Sequence, residues 1–175
     1  MSIRKIADKH VLLACINNLQ ISDVEEFVNL LRALQKDIVV QGVNADLVVD
    51  TQHVIGILQQ SIEAKKREML LSKMLEIDIL LRLACTDQIN RAVKDIGLKN
   101  GINNVLIIAM GRKDRLEMLR KYLAFNYKIN NIGRPSRKKM RFIASFHNID
   151  RRELNAVIKE NNKLTSVLIE RASLI

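Results

Sequence analysis

Glu76 and Asp78 stand two residues apart and could divide acid and base roles, as paired carboxylates do where their environments separate their pKa values. On an extended strand they would share a face, but a pair at this spacing is common and fixes no such separation. The three histidines, His10, His53 and His147, have no Cys or His at ligand spacing and read as surface or cap-region residues, not metal ligands. Cys15 and Cys85 sit in apolar runs and read as buried thiols of a reducing compartment. The chain has no Gly-x-Gly-x-x-Gly, phosphate loop, Gly-x-Ser-x-Gly elbow or His-Glu-x-x-His, so the usual nucleotide, acyl-transfer and zinc chemistries have no carrier. These residues predict a binding protein that is not an enzyme and needs no cofactor, metal or small-molecule substrate.

The side chains that remain are cations, and they are concentrated. Residues 112–141 hold 11 Lys/Arg against 2 Asp/Glu, whereas residues 1–111 hold 13 of each and 142–175 hold 5 against 4. Nearly all of the formal charge of +10 therefore lies in one stretch. Lys113, Arg120 and Lys121 can share a helical face, and Arg134, Arg137, Lys138, Lys139 and Arg141 crowd an expected loop. Such a block neutralises phosphates and releases counterions; the plainer alternative is a solvated face. Lys65, Lys66 and Arg67, with Lys73 and Arg82, form a weaker second group, because cations at a helix end are commonly caps. Aromatic residues make up only 3%, which argues against binding single strands mainly by stacking.

The elements that must position these residues alternate along the chain. Val11–Ile16 reads as a buried strand pairing with Ile3–Ala7. Ser22 and Glu25 have capping-box spacing before a helix over 23–36 marked by Val24, Phe27, Val28, Leu31 and Leu34. Residues 38–40 and 47–49 are strand-like. Asp50 caps a helix carrying Val54, Leu58 and Ile62, ending near Lys65–Arg67 where positive charge suits the dipole. The stretch 68–75 fits either helix or turn. Ile77–Ala84 reads as a strand; Thr86 caps a helix with Ile89, Ala92, Val93 and Ile96, stopped by Gly97. Asn104–Met110 is a further strand, and Leu116, Leu119 and Leu123 mark a basic-faced helix. Residues 128–141 are expected as loop, Phe142–Phe146 as a strand, and 150–173 as one helix or two broken near Asn161-Asn162.

Interleaved strands and helices, a hydrophobic content of 48% and 175 residues predict one α/β (α+β) domain over 1–175. A mixed β-sheet would pack against helices, with a closing C-terminal helix. No leader peptide or membrane span is expected: the first ten residues are charged throughout and apolar runs stay far below about 20 residues. The C-terminal segment, with Leu154, Val157, Ile158, Leu164, Val167, Leu168, Ile169, Leu174 and Ile175, carries more apolar residues than one helical stripe needs. The surplus is expected to pack on a partner or to be deeply buried.

The stretch Ile77–Leu98, IDILLRLACTDQINRAVKDIGL, resembles the signature of the accessory subunit of the KEOPS tRNA-modification complex, known in animals as the PRPK-binding protein. That family shows an acidic residue, an apolar segment, a small polar turn, Gln-Ile and an alanine-containing helix ending in Gly. Asp78, Ile79–Leu83, Ala84–Thr86, Gln88-Ile89, Ala92 and Gly97 occupy those places. Ala45–Asp50, Asn104–Met110 and Arg152–Ile175 extend the likeness from about residue 11 to the end. Cys85 departs from it, standing where many relatives have a Gly-like turn residue, and the 112–141 block is more basic than the family leads one to expect.

The resemblance implies a non-catalytic subunit seated on the small atypical kinase of KEOPS. It also implies recruitment of tRNA by the single-stranded 3′ CCA end for threonylcarbamoyladenosine synthesis. The basic block and compact length suit an archaeal origin, and the buried thiols and the charged N-terminus, unlike an export signal, suit a cytoplasmic location. The residues expected to contact tRNA are Lys65, Lys66, Arg67, Lys73, Arg82, Thr86 and Gln88 near the CCA end, with Arg120, Lys121, Arg137, Lys138 and Lys139 giving broader phosphate contact. Leu164, Val167 and Leu168 are expected to face the kinase. The alternative is a structural or regulatory kinase-binding protein without RNA contact.

Overall fold

In the computed structural model, residues 1, 3–34, 37–157 and 162–175 are described. Among these residues, five strands form one sheet: β1 (Ile3–Ile6), β2 (Lys9–Ile21), β3 (Val39–Asn44), β4 (Gly101–Gly111) and β5 (Ile129–Asn130). The spatial order is β1-β2-β4-β3, with β5 also pairing β2. Every pairing is antiparallel, so the α+β form of the expectation is the one realised. Among the described residues, eight helices accompany the sheet: α1 (Val24–Ala33), α2 (Thr51–Lys66), α3 (Leu75–Ala84), α4 (Ile89–Ile96), α5 (Lys113–Asn126), α6 (Arg137–Phe146), α7 (Arg151–Ala156) and α8 (Lys163–Ser173).

The sheet is buried on both faces, which explains its near-continuous apolar strands. Along β4, Leu106, Ile108 and Met110 point into a core shared with α2, α3 and α4. Val105, Ile107 and Ala109 point the other way, into a core shared with α1 and α5. The period of two thus survives inside an unbroken hydrophobic run. A third cluster joins Val49 to Ile143, Ile149, Leu164, Val167 and Leu168.

Several elements differ from the sequence expectation. Ile77–Ala84 belongs to helix α3, not a strand. The helix packs on α2, α4, α8 and β3, so seven of its residues from Asp78 to Ala84 are buried, and burial on all sides erases the amphipathic stripe. Phe142–Phe146 is the second half of α6, and the expected 128–141 loop contains β5 and the first turns of that helix. Residues 47–49 form no strand; a 3-10 turn over Ala45–Leu47 precedes the α2 cap. Asp23, not Ser22, caps α1, accepting from the Glu26 N–H at 3.0 Å. Gln88, not Thr86, is the residue before α4, and Thr86 Oγ1 accepts the Gln88 N–H at 3.3 Å. The C-terminal segment is two helices, α7 and α8; Ile158 and Asn161 lie outside the described residues.

Asp50 caps α2 as expected, with Oδ1 accepting from the His53 N–H at 2.8 Å. Its Oδ2 accepts from Asn162 Nδ2 at 2.6 Å and Thr165 Oγ1 at 3.0 Å. One carboxylate therefore ties the start of α2 to the start of α8.

Candidate functional site

The basic block folds into α5, β5 and α6, and only some of its charge is neutralised locally. Arg112 pairs with Asp114 at 2.9 Å and Arg120 with Glu117 at 2.6 Å. Lys113, Lys121, Arg137, Lys138 and Arg141 are exposed and make no ion pair among the described residues. Lys139 is half-buried and donates from Nζ to the Ala45 carbonyl at 2.9 Å.

α6 begins against its own dipole. Ser136 is the N-cap, its Oγ accepting from the Lys139 N–H at 3.1 Å. The first three helical residues are then Arg137, Lys138 and Lys139. A helix N-terminus carries partial positive charge and favours acids in its first turn, so three cations there work against local stability. An external anion would reverse that penalty.

The second cationic group is dispersed. Lys65 and Lys73 are exposed. Lys66 lies 3.4 Å from Asp8 in the β1–β2 turn, and Arg67 lies 2.8 Å from Glu63 one turn back on α2. Arg82 is buried inside the fold: Nε donates to Asp78 Oδ2 at 2.9 Å and Nη1 to the Ala172 carbonyl at 2.8 Å. These contacts turn its guanidinium inward, where it fastens α3 to α8. Thr86 is buried and Gln88 exposed, both beyond the C-terminal end of α3. Lys65–Arg67 precede α3 in the chain and Thr86 and Gln88 follow it, with its 10 residues spanning about 15 Å.

Glu76 and Asp78 do not form a site either. On a helix, residues two apart point away from each other. Asp78 accepts from Arg82 and from the Leu71 N–H at 2.8 Å, while Glu76 lies 3.5 Å from Arg32.

Leu164, Val167 and Leu168 are packed inward in the third core cluster, and of the three Val167 also borders a groove beside the outer surface of α8. The groove, open and of about 1210 Å³, lies between α2 and α8 and is reached by Ile55, Gln59, Ile169, Glu170 and Leu174. Leu174 is 79% exposed. The floor is set by Gly56, where an added Cβ would stand 2.4 Å from Ile169 Cδ1. Gln60 Nε2 donates to the Ile169 carbonyl at 2.7 Å and holds the helices together. The apolar surplus after residue 163 was the only sequence signal for this groove; which half of it turns inward depends on the register of α8 against α2.

The histidines are more buried than expected. His53 is fully buried, and its Nδ1 accepts from the Val49 N–H at 3.4 Å. Burial depresses it to about 4; His147 is likewise depressed to about 4, by burial and then by the Arg171 charge. Burial also pushes the Cys85 thiol up to about 11, and Cys85 ends α3 in the left-handed region at φ 50. Among the described residues, no three His, Cys, Asp or Glu side chains could together hold a metal ion, and no helix is long and apolar enough to cross a membrane.

No curated protein matches the chain. The family described as "Kinase binding protein CGI-121" matches residues 18–172. The match runs from the β2 bulge to the last turn of α8 and takes in both the α2–α8 groove and the basic helices. It agrees with a site made of binding surfaces and not of reacting groups, and the chain belongs to the kinase-binding protein CGI-121 family.

Proposed function

We propose that this chain is the accessory subunit of a KEOPS complex, binding its small atypical kinase through the α2–α8 groove and tRNA through α5 and α6. Family membership supports the kinase partner. The observation that carries the RNA partner is the first turn of α6, where Arg137, Lys138 and Lys139 crowd a helix end that disfavours them. A tRNA backbone would supply the missing negative charge along α6 and Lys121. The unpaired 3′ CCA end, with base edges and 2′-hydroxyls free, is the part a protein of this size can grip. In this reading the protein works in the cytoplasm, has no reaction of its own, and positions tRNA for threonylcarbamoyladenosine synthesis.

The test compares binding of full-length tRNA and of the same tRNA lacking CCA, at two salt concentrations. Weaker binding of the trimmed tRNA supports acceptor-end recruitment. Equal binding that falls steeply with salt means phosphate contact without recognition of the end. A second reading, a kinase-binding protein without RNA contact, is favoured by Lys66 and Arg67 being paired within the chain; it predicts no retention of either tRNA and undiminished kinase capture.

A further inference from the structure

A small polar pocket lies where β2 leaves regular pairing. The β2–β4 register shifts between Ile16 and Leu19, and Asn18 takes φ 53 in the bulge. Between this bulge, β5 and α6 opens a cleft of about 380 Å³ bordered by Asn17, Asp46, Asn104, Asn130, Asn131 and Lys139. Its size is at the lower end of ligand-holding clefts, about 300–1,000 Å³.

The polar groups fall into two sets. Asn104 is fixed, with Oδ1 accepting from the Asn18 N–H at 3.0 Å and Nδ2 donating to Asp46 at 3.0 Å. The side-chain amides of Asn17 and Asn130 make no hydrogen bond among the described residues, and Lys139 Nζ uses one of its three donors, on Ala45. Asn131 Oδ1 accepts from the Met1 amino group at 3.0 Å. The aliphatic side is Ile132, with Val48 and Leu106 buried behind it.

A simple anion would meet Asp46 as well as Lys139, so charge alone does not recommend one. Free amides pair donors with acceptors in one plane, as nucleobase edges do. The Ile132 side chain suits the face of a ring, and the Lys139 ammonium, with two donors left, suits a phosphate. Arg134 and Lys138, both exposed, flank Lys139 in the chain and add positive charge on that side. We propose that this pocket binds a single nucleotide, its base on the asparagine amides and its phosphate at Lys139. The ligand is either a free mononucleotide or one unpaired nucleotide of an RNA chain. This inference does not need the kinase or tRNA reading to hold.

Amide chemical-shift mapping of the full chain tests it, with adenosine and cytidine 5′-monophosphates, a single-stranded RNA tetranucleotide, and inorganic phosphate as probes. We expect saturable shifts at Asn17, Asn104, Asn130 and Lys139 with at least one nucleotide probe. Lys139→Gln keeps a donor for Ala45 but removes the charge, and should weaken binding about tenfold. Asn130→Ala is a second variant, and thermal unfolding reports whether each still folds. Tighter binding of the tetranucleotide assigns the ligand to RNA, and equal or tighter binding of a mononucleotide assigns it to the soluble pool. Inorganic phosphate reproducing the same shifts at the same affinity overturns the proposal, as do shifts confined to other surfaces or the absence of shifts. Loss of tRNA or kinase binding in the separate assays would leave the mononucleotide result intact, so the two readings fail independently.

Discussion

Gly56 of α2 and Ile169 of α8 touch so closely that a Cβ at position 56 would stand 2.4 Å from Ile169 Cδ1 and 2.8 Å from Cγ1, so a larger residue there must displace the Ile169 side chain or the helix that carries it. The contact sets the width of the groove proposed to receive the kinase. Gly56→Val should therefore push the Ile169 side chain or α8 out of place and destabilise the fold by about 1–3 kcal/mol, the usual cost of overpacking. Ile169→Ala in the same chain should recover part of that loss by making room. Denaturant unfolding of the two single variants and the double variant measures the coupling. Strict additivity would mean that the helices do not bear on each other at this point.

The outer rim of the same groove separates binding from stability. Leu174 is 79% exposed, so Leu174→Arg should leave the unfolding midpoint within about 0.5 kcal/mol of the parent, as surface changes usually do. Capture of the purified kinase should fall at least tenfold. Leu168→Arg is the contrasting change: it puts a charge into a core cluster and should unfold the protein, which would make any loss of capture uninformative. Unchanged capture by a folded Leu174→Arg protein would remove this rim from the interface.

Asp78 and Arg82 make a second internal relationship with a large expected effect. Both side chains are buried, and the pair also holds the Leu71 N–H and the Ala172 carbonyl. Replacing one partner strands the other charge, so Arg82→Ala or Asp78→Asn should cost about 3–5 kcal/mol. The double replacement Asp78→Leu with Arg82→Met should cost less than either single change. Denaturation midpoints decide this. An Arg82 variant that lost tRNA binding while keeping full stability would return Arg82 to the list of RNA contacts.

This pair also shows where sequence reading stops. Asp50, Val54, Leu58 and Ile62 announce α2 because only one side of that helix is apolar and its cap is a carboxylate. Val105–Met110 announces a strand because six apolar residues in a row suit a sheet covered on both faces. Ile77–Ala84 has the same unbroken character for a different reason, a helix enclosed by its neighbours, and short apolar runs cannot separate those cases. The charge block was legible as a block. Its division into paired Arg112 and Arg120, half-buried Lys139 and unpaired Lys138 depends on which way each helix is turned. A strand reading of Ile77–Ala84 hides that Asp78 lies one helical turn from Arg82 and pairs with it inside the fold.

The buried imidazoles make stability depend on pH in a defined window. His53 and His147 each fall from 6.5 to about 4 in the folded protein. Burial is the main opponent of protonation at both rings; beyond it the His147 and Lys139 charges oppose it at His53 while Asp50 favours it, and at His147 Arg171 and Arg91 oppose it while Asp95 favours it. Above pH 6.5 both rings are neutral in either state and nothing is lost. As pH falls from 6.5 towards 4 the unfolded chain takes up protons that the folded chain refuses, so stability declines. Each ring can contribute up to about 3 kcal/mol. His53→Gln should flatten the decline between pH 6.5 and 4 relative to the parent, when unfolding free energy is measured at steps of pH. A parallel curve would show that protonation of His53 does not drive it.

The α6 cations give the prediction that bears most directly on RNA. Each Lys or Arg that neutralises a phosphate adds to the salt dependence of binding, with a slope of about 0.7–0.9 per contact in a plot of log affinity against log salt. Arg137 and Lys138 are exposed in the first turn of α6 and unpaired among the described residues. Arg137→Gln with Lys138→Gln should therefore lower the slope by about 1.5 and weaken tRNA binding most at low salt. The same change relieves the helix dipole, so the folded protein should become slightly more stable while it binds less well. That opposition separates a binding role from a structural one, because a structural cation loses stability and binding together. Affinity and slope unchanged in this double variant would place the phosphate contact elsewhere, with Lys113 and Lys121 on α5 as the next exposed cations to replace.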